Sequence, residues 1–135
     1  MPGRFWIIVG SLLAALSVAV GAFGAHGLKQ ELKAGRITPE QFSTFETAAR
    51  NQMFHSIALV LVGLAVRTGG PSVCTKIAGT AFLMGIILFC GWLYANALWG
   101  HTSWPLLAPA GGTLFIIGWI ALAIAGWHAT KKSPS

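Results

Sequence analysis

Four apolar runs dominate the pattern of this 135-residue chain: Phe5–Ala25, Gln52–Val66, Ile77–Trp99 and Leu106–Trp127. A helix needs about 20 apolar residues to cross a hydrocarbon core of roughly 30 Å. Three of the runs meet that length, and the second comes near it. Only three short connections and two stubs remain. The pattern predicts one integral membrane domain over residues 1–135, an all-α, four-helix transmembrane bundle with helices at about 5–25, 39–66, 77–99 and 106–127.

Local signals punctuate the runs. Ser17, Gly21 and Ala25 recur at spacing four in the first helix, a small-residue stripe of the kind through which membrane helices pack closely. Gly27–Ile37 reads as a polar connection with a short helical turn at Leu28 and Leu32, ended by Gly35. A helix start follows. Thr38 caps, Pro39 suits the first position, Gln41 completes a capping box, and Ile37 and Phe42 are placed as a staple. No breaker intervenes before Gly63, so one helix runs from Pro39 to Val66, about 42 Å at 1.5 Å per residue. Its first turns extend outside the hydrocarbon, with Phe42, Phe45 and Ala49 on one face. Glu46 and Arg50 sit at i,i+4 as a favourable surface pair. Gly69-Gly70-Pro71 marks a turn. Near the start of the fourth helix, Pro109, Gly111 and Gly112 suit close packing against Gly91 or the first helix. The alternative is an opened backbone facing a cavity.

Composition agrees. Hydrophobic residues are 55% and charged ones 9%, against about 25% charged in a soluble domain. The net charge of +6 comes from nine Lys and Arg against three Glu. These cations flank apolar runs, which fits membrane topology and not a nucleic-acid footprint. With four spans, one side holds Arg4, Arg67, Lys76, Lys131 and Lys132, and the other holds Lys29, Lys33, Arg36 and Arg50. Five against four narrowly favours cytoplasmic termini. Trp6 and Trp127 are expected at one interface, and Trp99 and Trp104 at the other. The first run, 21 residues without a charge, exceeds a signal-peptide core of about 7–15 and is expected to be a retained helix. Cys74, in a connection, and Cys90, within a span, have no metal-type spacing.

The four-span layout gathers polar residues at one membrane face. His26 arrives on the first helix, Asn51, Gln52 and His55 on the second, and Tyr94, Asn96 and His101 on the third. Polar groups at membrane depth usually face the bundle interior or a cavity. His26, Asn51, Gln52 and His55 therefore form the candidate polar cluster, with His55 pointing inward beside Asn51 or Gln52. His101 and His128 are expected at the interfaces. Ser17, Ser56, Thr80 and Thr113 are expected to bond back to their own helices.

Several segments resemble one family. Gly21-Ala22-Phe23-Gly24-Ala25-His26-Gly27-Leu28-Lys29 is similar to the first-helix signature of the family catalogued as domain of unknown function 423, which includes the transmembrane protein 256 group. Asn51–Ala58 is similar to its Q-x-F-H-[ST]-x-A segment. Phe89–Tyr94 is similar to F-S-G-S-L-Y, with Cys90 and Trp92 replacing two serines. Pro109–Thr113 is similar to P-x-G-G. The resemblance spans nearly the whole chain in order. It implies a small integral membrane protein, typically of a bacterial inner membrane, and implies no biochemical activity.

Nothing else in the sequence points to catalysis. No nucleophile–base–orienter set, phosphate loop or dinucleotide fingerprint is present. No cofactor or metal is expected, and no enzyme activity. The expectation is a structural or accessory protein whose partners are the lipid bilayer and either another protein or further copies of itself, without nucleic acid. The competing reading is a proton or small-solute carrier or channel that uses the polar cluster.

Overall fold

A computed structural model describes residues 2–100 and 104–130. Among these there is no strand, and four helices are long and apolar enough to cross a membrane: α1 (Gly3–Lys33), α2 (Pro39–Gly69), α3 (Val73–Trp99) and α4 (Leu107–Ala129). His101, Lys131 and Lys132 lie outside the described residues.

The first helix does not stop near Ala25. A π-helical turn over Gly24–Leu28 carries it onward to Lys33. Two glycines look like a helix end in isolation. Here Leu28 is buried in a cluster with Phe45 and Ala97, which anchors the continuation. The helix ends at Gly35, whose φ of 70° lies in the left-handed region. The Arg36 N–H bonds to the Glu31 carbonyl at 2.9 Å, and the Gly35 N–H bonds to the Leu32 carbonyl at 3.1 Å. This is a Schellman closure. Arg36 also grips the Glu31 carboxylate through two nitrogens.

The start of α2 follows its sequence signals. The Gln41 N–H donates to Thr38 Oγ1 at 3.1 Å, and the Thr38 N–H donates to Gln41 Oε1 at 3.0 Å. Gln41 Nε2 also reaches the Ala97 carbonyl on α3, at 3.2 Å. Ile37 and Phe42 pack on the same cluster as Leu28. The helix continues past Val66 to Gly69 and ends at Gly70, with φ 82°. A second capping box, Ser72 with Thr75, starts α3 at Val73. Cys74 therefore lies in the first turn of a helix and not in a connection. A second π-helical turn, Ile86–Cys90, interrupts α3.

The helices follow one another in space. α1 packs along α2, α2 on α3, and α3 on α4, while α4 also touches α2. The centre holds Ala58, Leu59, Val62, Ala78, Phe82 and Cys90. Trp6 does not face outward. It is buried in this core, seated where Gly79 offers no Cβ; one added there would stand 2.4 Å from the indole. Trp99, Trp104 and Trp127 are exposed. Outward apolar surface includes Phe5, Ile8, Leu12 and Leu16 on α1 and Ile116 and Ile120 on α4.

The α1–α2 contact is a seam of small residues at spacing seven, not four. Gly3, Gly10, Ser17 and Gly24 are all buried, and they face Gly63, Ser56, Ala49 and Phe45 in antiparallel order. A Cβ on Gly10 would lie 2.7 Å from the Ser56 carbonyl oxygen, and one on Gly63 would lie 2.6 Å from that of Gly3. A seven-residue repeat keeps one stripe of a helix facing its partner along the full contact. Ser17 belongs to the seam; Gly21 and Ala25 do not. Nothing lies within 4 Å of a Cβ built on Gly21, and Ala25 is exposed.

Candidate functional site

The polar residues of the interior divide into two neighbouring arrangements on α2. The first centres on Gln52, which is 3% exposed. Its Nε2 donates to the Leu13 carbonyl of α1 at 2.9 Å, and its Oε1 accepts from the Tyr94 hydroxyl of α3 at 2.8 Å. One amide thus ties three helices together and satisfies its own polar atoms, which lipid does not do. Ser17 adds a bond across the seam, donating to the Ala49 carbonyl at 2.8 Å instead of to its own helix. Ser56, Thr80 and Thr113 do bond back, to Gln52, Lys76 and Pro109.

The second arrangement is an aromatic enclosure around His55. Its ring stacks on Phe115 of α4, with centroids 3.4 Å apart and planes 7° from parallel. Phe82 and Trp119 stand at 5.8 and 6.2 Å. His55 Nδ1 lies 2.8 Å from the Asn51 carbonyl. A carbonyl only accepts, so Nδ1 carries a proton in this contact. The amide of Asn51 turns away and donates to the Thr47 carbonyl at 2.9 Å.

The expected cluster is thus only partly assembled. Asn51 and His55 share a face, and Gln52 sits beside them but bonds toward α1 and α3. His26 does not join: it is exposed on the π-helical turn of α1. The α1–α2 seam sets Gly10 against Ser56, so His26 lies about 20 Å along α1 from the level of His55 at 1.5 Å per residue. His128 is exposed at the opposite end of the bundle. Among the described residues, no group of three metal-ligating side chains converges.

The proposed packing residues of the second half also separate. Gly111 is a contact point, since a Cβ there would stand 2.5 Å from the Phe89 backbone nitrogen. Gly112 is in ordinary range of the Phe89 ring, Pro109 is exposed, and Gly91 is exposed with nothing within 4 Å of an added Cβ. The close approach of α3 and α4 instead uses Gly85 under Phe115 and Gly118 under Phe82. Sequence reading missed the enclosure itself. Its only local trace is Phe115 and Trp119 one turn apart on α4, which fits any apolar helix.

Comparison with known proteins places this architecture. A family described as protein of unknown function (DUF423) matches residues 20–112. The chain belongs to the DUF423 family. A UPF0382 membrane protein of Staphylococcus aureus (strain bovine RF122 / ET3-1) is 42% identical over 122 residues, covering 90% of this chain and 94% of the relative. UPF0382 membrane proteins of Staphylococcus epidermidis (strain ATCC 35984) and Staphylococcus haemolyticus (strain JCSC1435) are 39% and 37% identical with the same coverage. No solved structure matches the chain. This DUF423 protein is accordingly a small polytopic membrane protein in contact with the bilayer. The matched region contains Gln52, His55, Tyr94 and Gly111, and it stops short of Phe115 and Trp119.

Proposed function

We propose that this DUF423 protein is a structural or accessory membrane protein, not an enzyme, acting through a protein partner or further copies of itself. The observation that supports this is the aromatic enclosure of His55 by Phe82, Phe115 and Trp119. A carrier or channel needs a polar, hydrated path to an intramembrane ionisable group. Here an aromatic ring lies flat against His55, the one buried histidine among the described residues, and Gln52 uses its hydrogen bonds to hold helices. A packed interior leaves the outward surface as the place where the protein does its work. The proposal includes a bacterial inner (plasma) membrane, supported by the staphylococcal relatives, and cytoplasmic termini, supported by the five-to-four distribution of cations.

The test is cross-linking in native membranes. Single cysteines at exposed Leu12 and Ile116, in a Cys74→Ser/Cys90→Ala background, are expected to give discrete cross-linked species. Monomer at every position, together with proton or solute flux in proteoliposomes that His55→Leu abolishes, would replace this reading by the carrier.

A further inference from the structure

Glu46 and Arg50 stand one turn apart on α2, the spacing at which opposite charges pair along a helix. They do not pair: among the described residues the ion pair is Glu31–Arg36. Both instead line a niche of about 170 Å³ between α2 and α1, whose other walls include Gly21, Gly24, Ala25 and Ala49. The niche is open because Gly21 carries no side chain and no neighbour fills its place. Gly24 and Ala49 belong to the α1–α2 seam, so the niche is continuous with that interface.

Its depth in the membrane follows from the two helices. The seam sets Ser17 against Ala49 and Gly24 against Phe45. Arg50 thus stands level with Ser17 and Glu46 level with Gly21–Gly24, toward the end of the apolar run of α1 and at the start of that of α2. The small-residue wall and the two charges therefore stand together at the edge of the hydrocarbon, Glu46 the more outward, and the long Arg50 side chain reaches from there toward the headgroups. Both charged side chains are exposed. A helix surface at this level normally meets lipid, and this one offers a cation and an anion over an uncovered backbone.

We propose that the niche binds a zwitterionic phospholipid with a primary-amine headgroup. The Arg50 guanidinium takes the phosphodiester, for which its fork of donors is suited. The Glu46 carboxylate accepts from the ammonium. A two-carbon link between phosphate and ammonium is comparable to the roughly 5–6 Å between Cβ atoms one turn apart. The ammonium end of the headgroup lies over Gly21 beside Glu46, and the glycerol backbone and acyl chains descend from Arg50 toward the bilayer centre. A purely anionic headgroup sets its charge against Glu46. A choline headgroup offers Glu46 no N–H.

Native mass spectrometry of the full chain in detergent tests this, with phosphatidylethanolamine, phosphatidylglycerol or phosphatidylcholine added at equal concentration. One phosphatidylethanolamine is expected to be retained per chain, in preference to the other two lipids. Arg50→Gln and Glu46→Gln, both at exposed positions, are expected to weaken retention about tenfold. Gly21→Leu is expected to melt like the parent and yet lose the lipid by filling its place. Equal retention of all three lipids, or retention unchanged in both charge variants, overturns the proposal. So does competition by soluble glycerophosphoethanolamine at the concentration of the lipid, which makes the ligand a free headgroup. If Gly21→Leu fails to fold, the two charge variants decide alone.

Discussion

His55 lies flat on Phe115, with ring centroids 3.4 Å apart, and its Nδ1–H is held by the Asn51 carbonyl at 2.8 Å. The stack joins α2 to α4, two helices otherwise linked mainly through α3. An imidazole held in this way acts as an aromatic wedge with one polar edge satisfied.

That relationship ranks substitutions at position 55. His55→Phe keeps the stacked ring and loses one hydrogen bond, so it is expected to cost about 0.5–1.5 kcal/mol. His55→Ala removes the ring and leaves a cavity among Phe82, Phe115 and Trp119, with an expected cost of about 3–5 kcal/mol by analogy with large aromatic truncations. Thermal unfolding in detergent separates the two. Equal melting temperatures would show that the ring carries no packing energy.

The seam predicts opposite outcomes for two glycines of one helix. Gly10→Leu drives a side chain into the Ser56 carbonyl and Val60 and is expected to destabilise by about 1–3 kcal/mol or more. Gly21→Leu meets open space and is expected to leave unfolding within about 0.5 kcal/mol of the parent. The spacing-four reading of α1 makes Gly21 the damaging position, so the order of the two melting temperatures chooses between the seams.

Gln52 and Tyr94 share one hydrogen bond across α2 and α3. A double-mutant cycle of Gln52→Leu and Tyr94→Phe is expected to give a coupling of about 0.6 kcal/mol and not above about 1.7, the range found for such bonds in membranes. The Gln52→Leu single variant is expected to cost more, because it also frees the bond to Leu13. Zero coupling between the two variants would mean that the bond does not form in the membrane.

Gly79→Ala tests the seat of Trp6. The added methyl would stand 2.4 Å from the indole, so the ring must move or the helices must part. The expected cost is about 1–3 kcal/mol. It should be relieved in a Trp6→Leu background, where no indole meets the methyl. Additive effects of the two substitutions would place the strain elsewhere.

How much was legible depended on how local the physics is. The four spans are set by hydropathy summed over about 20 residues, which needs no knowledge of neighbours. The start of α2 was legible for the same reason, since a capping box closes within four residues and Thr38 and Gln41 bond as their spacing dictates. Ser72 and Thr75 carry a shorter version of the same signal at the start of α3, hidden by the Gly-Gly-Pro turn before them. Family resemblance was also legible, because short ordered motifs survive without any geometry.

The tertiary structure decided the phase of every face. Ser17 fits a stripe at spacing four with Gly21 and one at spacing seven with Gly10 and Gly24; only the approach of α2, bringing the Ala49 carbonyl to 2.8 Å, selects the second. The sequence predicts His26 and His55 at one membrane face, but the seam sets Gly10 against Ser56 and so leaves His55 about 20 Å along α1 from His26 at 1.5 Å per residue. A π-helical turn leaves one outside, and Phe115, sixty residues further along the chain, covers the other. Trp6 lies near a helix end, and its indole turns inward because Gly79 on α3 leaves room for it. Membrane depth is an additive property that a sequence carries residue by residue. Which side of a helix is inside depends on pairwise fit between helices far apart in the chain, and that information exists only once they meet.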